Sequence, residues 1–191
     1  EYRVKQILPL ERRASQDPVI AALRDLEEAE ISSPGFNEDS LAAIGFALEE
    51  IDWDGGGRPF GGRFVVLITD AGPKLPGQGS DAYTDASEDL QVAAEAVGTA
   101  LLAIHLKTPG GGGANHDYAA EQYRTLTRFG GRDHYFPIDG GDEAAFAAET
   151  GRLITFFTDQ VLEMDGQTPE LTEDEAGAAL TELGRAIRLQ Y

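Results

Sequence analysis

The chain has 191 residues and carries 34 acidic against 15 basic side chains, a net charge of −19. It has no cysteine, which excludes a disulfide framework, a thiolate metal site and a cysteine nucleophile. A chain this acidic repels nucleic acid and anionic lipid over most of its surface, so the partners expected are proteins, cations or metals. The 41% of apolar residues place it among globular chains.

Residues 2–8 alternate, with Tyr2, Val4 and Leu8 on one face and Arg3 and Lys5 on the other, which predicts a half-exposed edge strand. Asp17-Pro18 starts a helix, with Asp as N-cap and Pro at the first helical position. Val19, Ile20, Leu23 and Leu26 continue it to about Ala29. A loop at residues 32–35 precedes a second amphipathic helix, from Asn37 or Glu38 to Ile51, with Leu41, Ile44 and Leu48 inward. Gly55–Gly57 and Gly61-Gly62 frame a flexible connector, and Trp53 between them and the helix reads as a core plug.

Residues 64–68, Phe-Val-Val-Leu-Ile, form an unbroken apolar run ending in Thr69-Asp70-Ala71-Gly72. Such a run predicts a strand buried on both faces. A polar loop follows at 73–83, then a helix from Thr84 or Asp85 to about Val97. Residues 100–106 predict a second buried strand, leading through His105 into Thr108-Pro109. The tract Gly110–Gly113 reads as a flexible loop, and residues 116–129 as a helix with Tyr118, Gln122 and Leu126 aligned. Residues 134–138 predict a third short strand ending at Asp139. Asp142 caps a helix to about Leu162, and Thr172-Glu173-Asp174-Glu175 has the capping-box spacing of a last helix. The alternation predicts an α/β fold, a doubly wound and mostly parallel sheet with helices on both faces.

In such sheets ligands sit beyond the carboxyl ends of the strands. Thr69, Asp70, His105, Thr108 and Asp139 all fall at that rim. Asp70 is the sharpest of them: a carboxylate after a buried run either meets a hard cation or caps a turn through the backbone. His105 reads as a ligand or base, or as a hydrogen-bonded structural histidine. His116 precedes a predicted helix, which suggests a cap. No G-x-G-x-x-G, P-loop, G-x-S-x-G or H-E-x-x-H pattern occurs. No stretch approaches the ~20 apolar residues of a membrane span. The chain opens Glu-Tyr-Arg-Val, without an initiator Met, and a piece of a longer protein is expected.

FVVLITDAG at 64–72 resembles the fourth strand and following loop of von Willebrand factor A domains. With FNEDSLAAIGFALEEIDW from Phe36, LLAIHLKTPGG from Leu101 and HDYAAEQYRTL from His116, the pattern is closest to the domain found in type VI secretion-associated serine/threonine protein kinases. The resemblance implies an A-like domain over residues 1–165 and a helical extension over 166–191. The family's Asp-x-Ser/Thr-x-Ser metal motif is absent from the chain, as are the kinase motifs H-R-D-x-x-x-x-N and D-F-G. By the resemblance, residues 2–8 correspond to the third strand, so the first two strands are missing and an apolar seam is expected where they would pair. The same likeness makes Asp70 the loop aspartate that approaches Mg²⁺, with Glu38 and Asp39 where the family has a threonine. It implies a non-catalytic protein-interaction or sensing module of a larger bacterial protein, Mg²⁺-assisted through an incomplete site. It also implies a periplasmic setting, with the cytoplasm as alternative. A protein partner is expected, with no nucleic acid and no membrane insertion of this segment; an oligomer is compatible. The alternative is a small-ligand-binding or enzymatic Rossmann- or flavodoxin-like domain using Asp70, His105 and Asp139.

Overall fold

A computed structural model describes residues 7–8, 10, 15, 17–25, 35–53, 63–78, 85–140, 144–146, 148 and 151–152. The chain divides into two compact units, one built from Glu1–Lys5, Ile31–Ile51 and Arg63–Gly141, the other from Gln6–Glu30, Asp52–Gly62 and Asp142–Tyr191. Within the second, α1 spans Asp17–Arg24. Asp17 is the first residue of the helix rather than its cap, and its N–H donates to the Ser15 hydroxyl at 3.0 Å. Trp53 is half-buried rather than enclosed. Residues 2–6 of the predicted first strand, most of the 142–162 helix, the expected boundary at 165 and the last helix lie outside the described residues; Ile7 and Leu8 form a bend.

The first unit is an α/β layer. Strands β1 (Arg63–Thr69), β2 (Thr99–Lys107) and β5 (Tyr135–Asp139) form a parallel sheet in the order β1-β2-β5. Helices α2 (Ser40–Glu49), α3 (Ser87–Ala96) and α4 (Gly113–Leu126) cover one face of it. The register sets Val65 beside Leu101, Leu67 beside Ala103 and Thr69 beside His105. Ala103 in turn lies beside Tyr135. This row meets Leu41 and Ile44 of α2, Leu90 and Ala94 of α3, and Ala119, Tyr123 and Leu126 of α4 in one core cluster. The opposite face of β2, with Ala100, Leu102, Ile104 and Leu106, is equally buried. All three described helices of this unit share the first face.

Two expectations change. The run in β1 is not buried on both faces: none of its residues is enclosed, and Val66 is 39% exposed. Five apolar residues read alike at the centre and at the end of a sheet, and β2 is the central strand of the three. α4 begins three residues earlier than its periodicity suggests, inside the glycine tract. Its buried residues are His116, Ala119, Tyr123 and Leu126, while Tyr118 and Gln122 are only half-buried. Arg128 and Phe129 leave the helix as β3, which pairs with β4 (Arg132–Asp133) across Gly130-Gly131. Both glycines have positive φ, as a two-residue hairpin turn requires.

α2 starts at Ser40 because the residues before it have another use. The Glu38 N–H donates to the Gly72 carbonyl at 2.9 Å, and the Lys74 N–H to the Glu38 carbonyl at 2.8 Å. In α3, Glu88 and Asp89 favour the N-terminal end of the helix dipole, and the Ser87 hydroxyl ties it to Gln122 of α4 at 3.0 Å. Leu102→Ala is expected to destabilise the domain by about 2–5 kcal/mol, because the buried site cannot collapse around the void. Urea unfolding with an unchanged m-value checks it.

Candidate functional site

The carboxyl ends of β1 and β2 meet the first turns of α4. After β1 the chain turns at once: the Thr69 hydroxyl accepts the Ala71 N–H at 3.1 Å. The next three carbonyls are each taken. Ala71 accepts the Tyr123 hydroxyl at 2.8 Å, Gly72 accepts the Glu38 N–H, and Pro73 accepts the Tyr118 hydroxyl at 2.9 Å. The Tyr123 proton goes to a carbonyl that can only accept, so the Ser40 hydroxyl, 3.0 Å away, donates to Tyr123. Burial pushes the Tyr123 and Tyr118 hydroxyls above the ordinary phenol range. Gly72 and Gly111 are required by close approach. A Cβ at Gly72 would lie 2.9 Å from Asn115 Oδ1 and from the Tyr118 ring, and one at Gly111 would lie 2.6 Å from His116 and from the Phe36 ring.

Asp70 stands half-buried on this loop. Its hydrogen-bond contact among the described side chains is the Thr108 hydroxyl, at a long 3.5 Å. Thr108 leads into a 3-10 turn, Pro109–Gly111. The predicted flexible tract is therefore partly turn and partly the opening of α4.

His105 is not a rim residue. It is 0% exposed, on the helix-facing side of β2. Its Nδ1 lies 2.8 Å from the Tyr135 hydroxyl and its Nε2 3.1 Å from His116 Nδ1. His116 Nε2 lies 2.7 Å from the Thr108 carbonyl. That carbonyl can only accept, which fixes the proton on His116 Nε2 and leaves Nδ1 to accept. His105 Nε2–H then donates to His116, and the Tyr135 hydroxyl donates to His105. Burial first, then the facing His116 and nearby Lys107, lower the His105 pKa from 6.5 to about 4. Burial raises that of Tyr135 to about 12. His116 thus works as a link in this chain, not as the predicted helix cap.

The remaining candidates do not converge. Asp139 is 91% exposed and pairs with Lys107 at 3.4 Å, a solvated contact. Glu38 is held through its backbone against the Gly72–Lys74 loop, and Asp39 is buried at the start of α2. No three His, Asp or Glu side chains group as a metal site among the described residues. Asp70, His105 and Asp139 do not face one another either, since one is sealed and another lies in solvent. The residues that sequence reasoning missed are Tyr118, Tyr123 and Tyr135. Tyr118 and Tyr123 reach the loop after β1 and Tyr135 reaches His105, pairings that no spacing in the sequence announces.

Comparison with protein-family models, with curated proteins and with solved structures finds no match. Among the described residues no helix is long and apolar enough to cross a membrane.

Two outcomes follow from this geometry. Tyr123→Phe leaves the Ala71 carbonyl with only the longer bond from the Thr69 hydroxyl, at 3.3 Å, and takes the acceptor from the buried Ser40 hydroxyl; it is expected to cost about 1–3 kcal/mol in denaturant unfolding. Between pH 6.5 and about 4 the unfolded chain protonates residue 105 while the folded chain refuses the proton. Stability is therefore present above pH 6.5 and falls as the pH drops through that window, by on the order of 3 kcal/mol. Chemical unfolding at stepped pH, with His105→Gln as the flatter comparison, measures it.

Proposed function

We propose that this chain is a non-catalytic docking domain whose sheet rim, centred on Asp70, binds a protein partner through a lysine or arginine of that partner. One observation carries the reading. The loop around Asp70 has its backbone carbonyls 71–73 engaged by α4 and by Glu38 just before α2, while the carboxylate itself makes only the long Thr108 contact among the described side chains. A preformed loop presenting a half-exposed anion suits recognition of a cation, because no loop-ordering cost opposes binding. The sealing of His105 removes the base that the enzymatic alternative would use.

The parallel order β1-β2-β5, with helical crossovers α3 and α4, is compatible with the von Willebrand A resemblance and supports it at the level of fold class. On that resemblance the chain belongs to a larger bacterial protein, a type VI secretion-associated kinase whose catalytic domain lies elsewhere, and it works in the periplasm. The docking contact proposed here runs directly from the Asp70 carboxylate to the cationic side chain of the partner.

A photo-crosslinking residue at the exposed Pro109 beside Asp70, and another at Glu95 at the far end of α3, test the proposal in cells. The expected result is one polypeptide crosslinked from position 109, none from 95, and loss of that product with Asp70→Lys. Equal labelling from both positions, or a product indifferent to Asp70→Lys, overturns it, as does ATP turnover by the chain alone.

A further inference from the structure

We propose that the Tyr135–His105–His116 chain is an acid-sensitive latch that holds the rim segment 108–113 against α4 and releases it when the histidine pair takes up a proton. The argument starts from the order of donors. With both rings neutral every atom of the chain is matched, from the Tyr135 hydroxyl through both imidazoles to the Thr108 carbonyl. The two rings face each other nitrogen to nitrogen, so only one proton fits between them. Whichever ring formally holds the charge, a further proton leaves an N–H on His105 Nδ1. Tyr135 Oη must then accept and turn its own hydrogen away inside the core.

The surroundings do not offset that charge. Lys107 on β2 opposes it, and the Arg124 guanidinium of α4 lies 4.9 Å from the centre of the Tyr135 ring, a further cation beside the chain. Asp117 on α4, Asp133 on β4 and Asp139 on β5 act on Tyr135, but they are exposed or half-exposed and screened by water. The Asp70 backbone favours the charged ring only as the smallest influence on it. The Tyr123 ring packs edge-on against His105 and supplies no charge. His116 also sits in the first turn of α4, where the helix dipole disfavours a cation. Burial and the facing ring already hold the His105 pKa down to about 4.

Relief is available on one side only. His105 is locked in β2, and freeing it would open the sheet. His116 is 8% exposed, and the chain beside it is Pro109 and the glycines 110–113, mostly in solvent. Swinging His116 out gives the charge to water. It costs the bond to Thr108 and the edge contact with Phe36, whose ring centre is 6.2 Å from that of His116. The Thr108 carbonyl also holds the Gly111 N–H at 3.2 Å, and Gly111 presses on His116, so the turn loosens with it. This device stands apart from the docking proposal; where both hold, the released segment borders Asp70.

The test uses the 191-residue chain, whose three histidines give a readable ring spectrum. Side-chain ¹⁵N titration and amide exchange, corrected for intrinsic rate, are followed from pH 7 to pH 4. The expected result is loss of protection at residues 108–116 in step with titration of the His105 ring below pH 6.5, while residues 101–105 stay protected. His105→Gln, which still donates to His116 but takes no proton, is expected to move that loss about one pH unit lower or abolish it. Retention of protection at 108–116 to pH 4, simultaneous loss in β2, or an unmoved midpoint in His105→Gln overturns the latch. If His105→Gln fails to fold, the wild-type data decide alone: titration of the His105 ring without change at 108–116 overturns it.

Discussion

An imidazole buried near the end of a strand closed on both faces governs this domain. β2 is buried from Thr99 to Leu106, and His105 places two polar nitrogens in that interior. Each must be matched, because an unpaired buried polar group costs more than an ordinary hydrogen bond returns. The matches come from two other elements, Tyr135 on β5 and His116 on α4. They fix how far β5 and α4 extend toward the rim. The chain ends on Thr108, so the same requirement that closes the core also shapes the turn after β2.

The loop after β1 is organised on the same logic with different chemistry. A loop at a sheet edge has carbonyls that no strand satisfies. Here two tyrosines of α4 and one backbone N–H before α2 satisfy them. The loop is consequently held in one arrangement before any partner arrives. What is left for recognition is the Asp70 side chain, on a surface where a net charge of −19 already draws cationic partners.

The parts of this structure that were legible in the sequence are those decided by local apolar pattern. Residues 64–68, 100–106 and 134–138 announce β1, β2 and β5 because strand interiors are written in Val, Ile, Leu and aromatic residues. Leu41 and Ile44 announce the inner face of α2 for the same reason. The buried face of α4 was not legible, since His116 and Tyr123 carry polar atoms and are buried only because distant groups match them. The place of β1 at one end of the three-strand order was not legible either, because pairing partners leave no mark on a strand's own composition. His105 looked like a rim residue from its position near a strand end. Its pleat direction and its partner eleven residues on decide otherwise, and both are tertiary facts.

The two networks converge on one helix. His116 and Tyr123 are seven residues apart in α4, two turns along a single face, with Ala119 between them. Ala119 is fully buried in the cluster that also holds Ala103 of β2. Tyr123 reaches Ala71 after β1, and His116 reaches Thr108 after β2. Neither rim loop is therefore positioned by its own strand alone. Any shift of α4 along or away from the sheet must disturb both together, because His116 and Tyr123 carry the two contacts from one helix face.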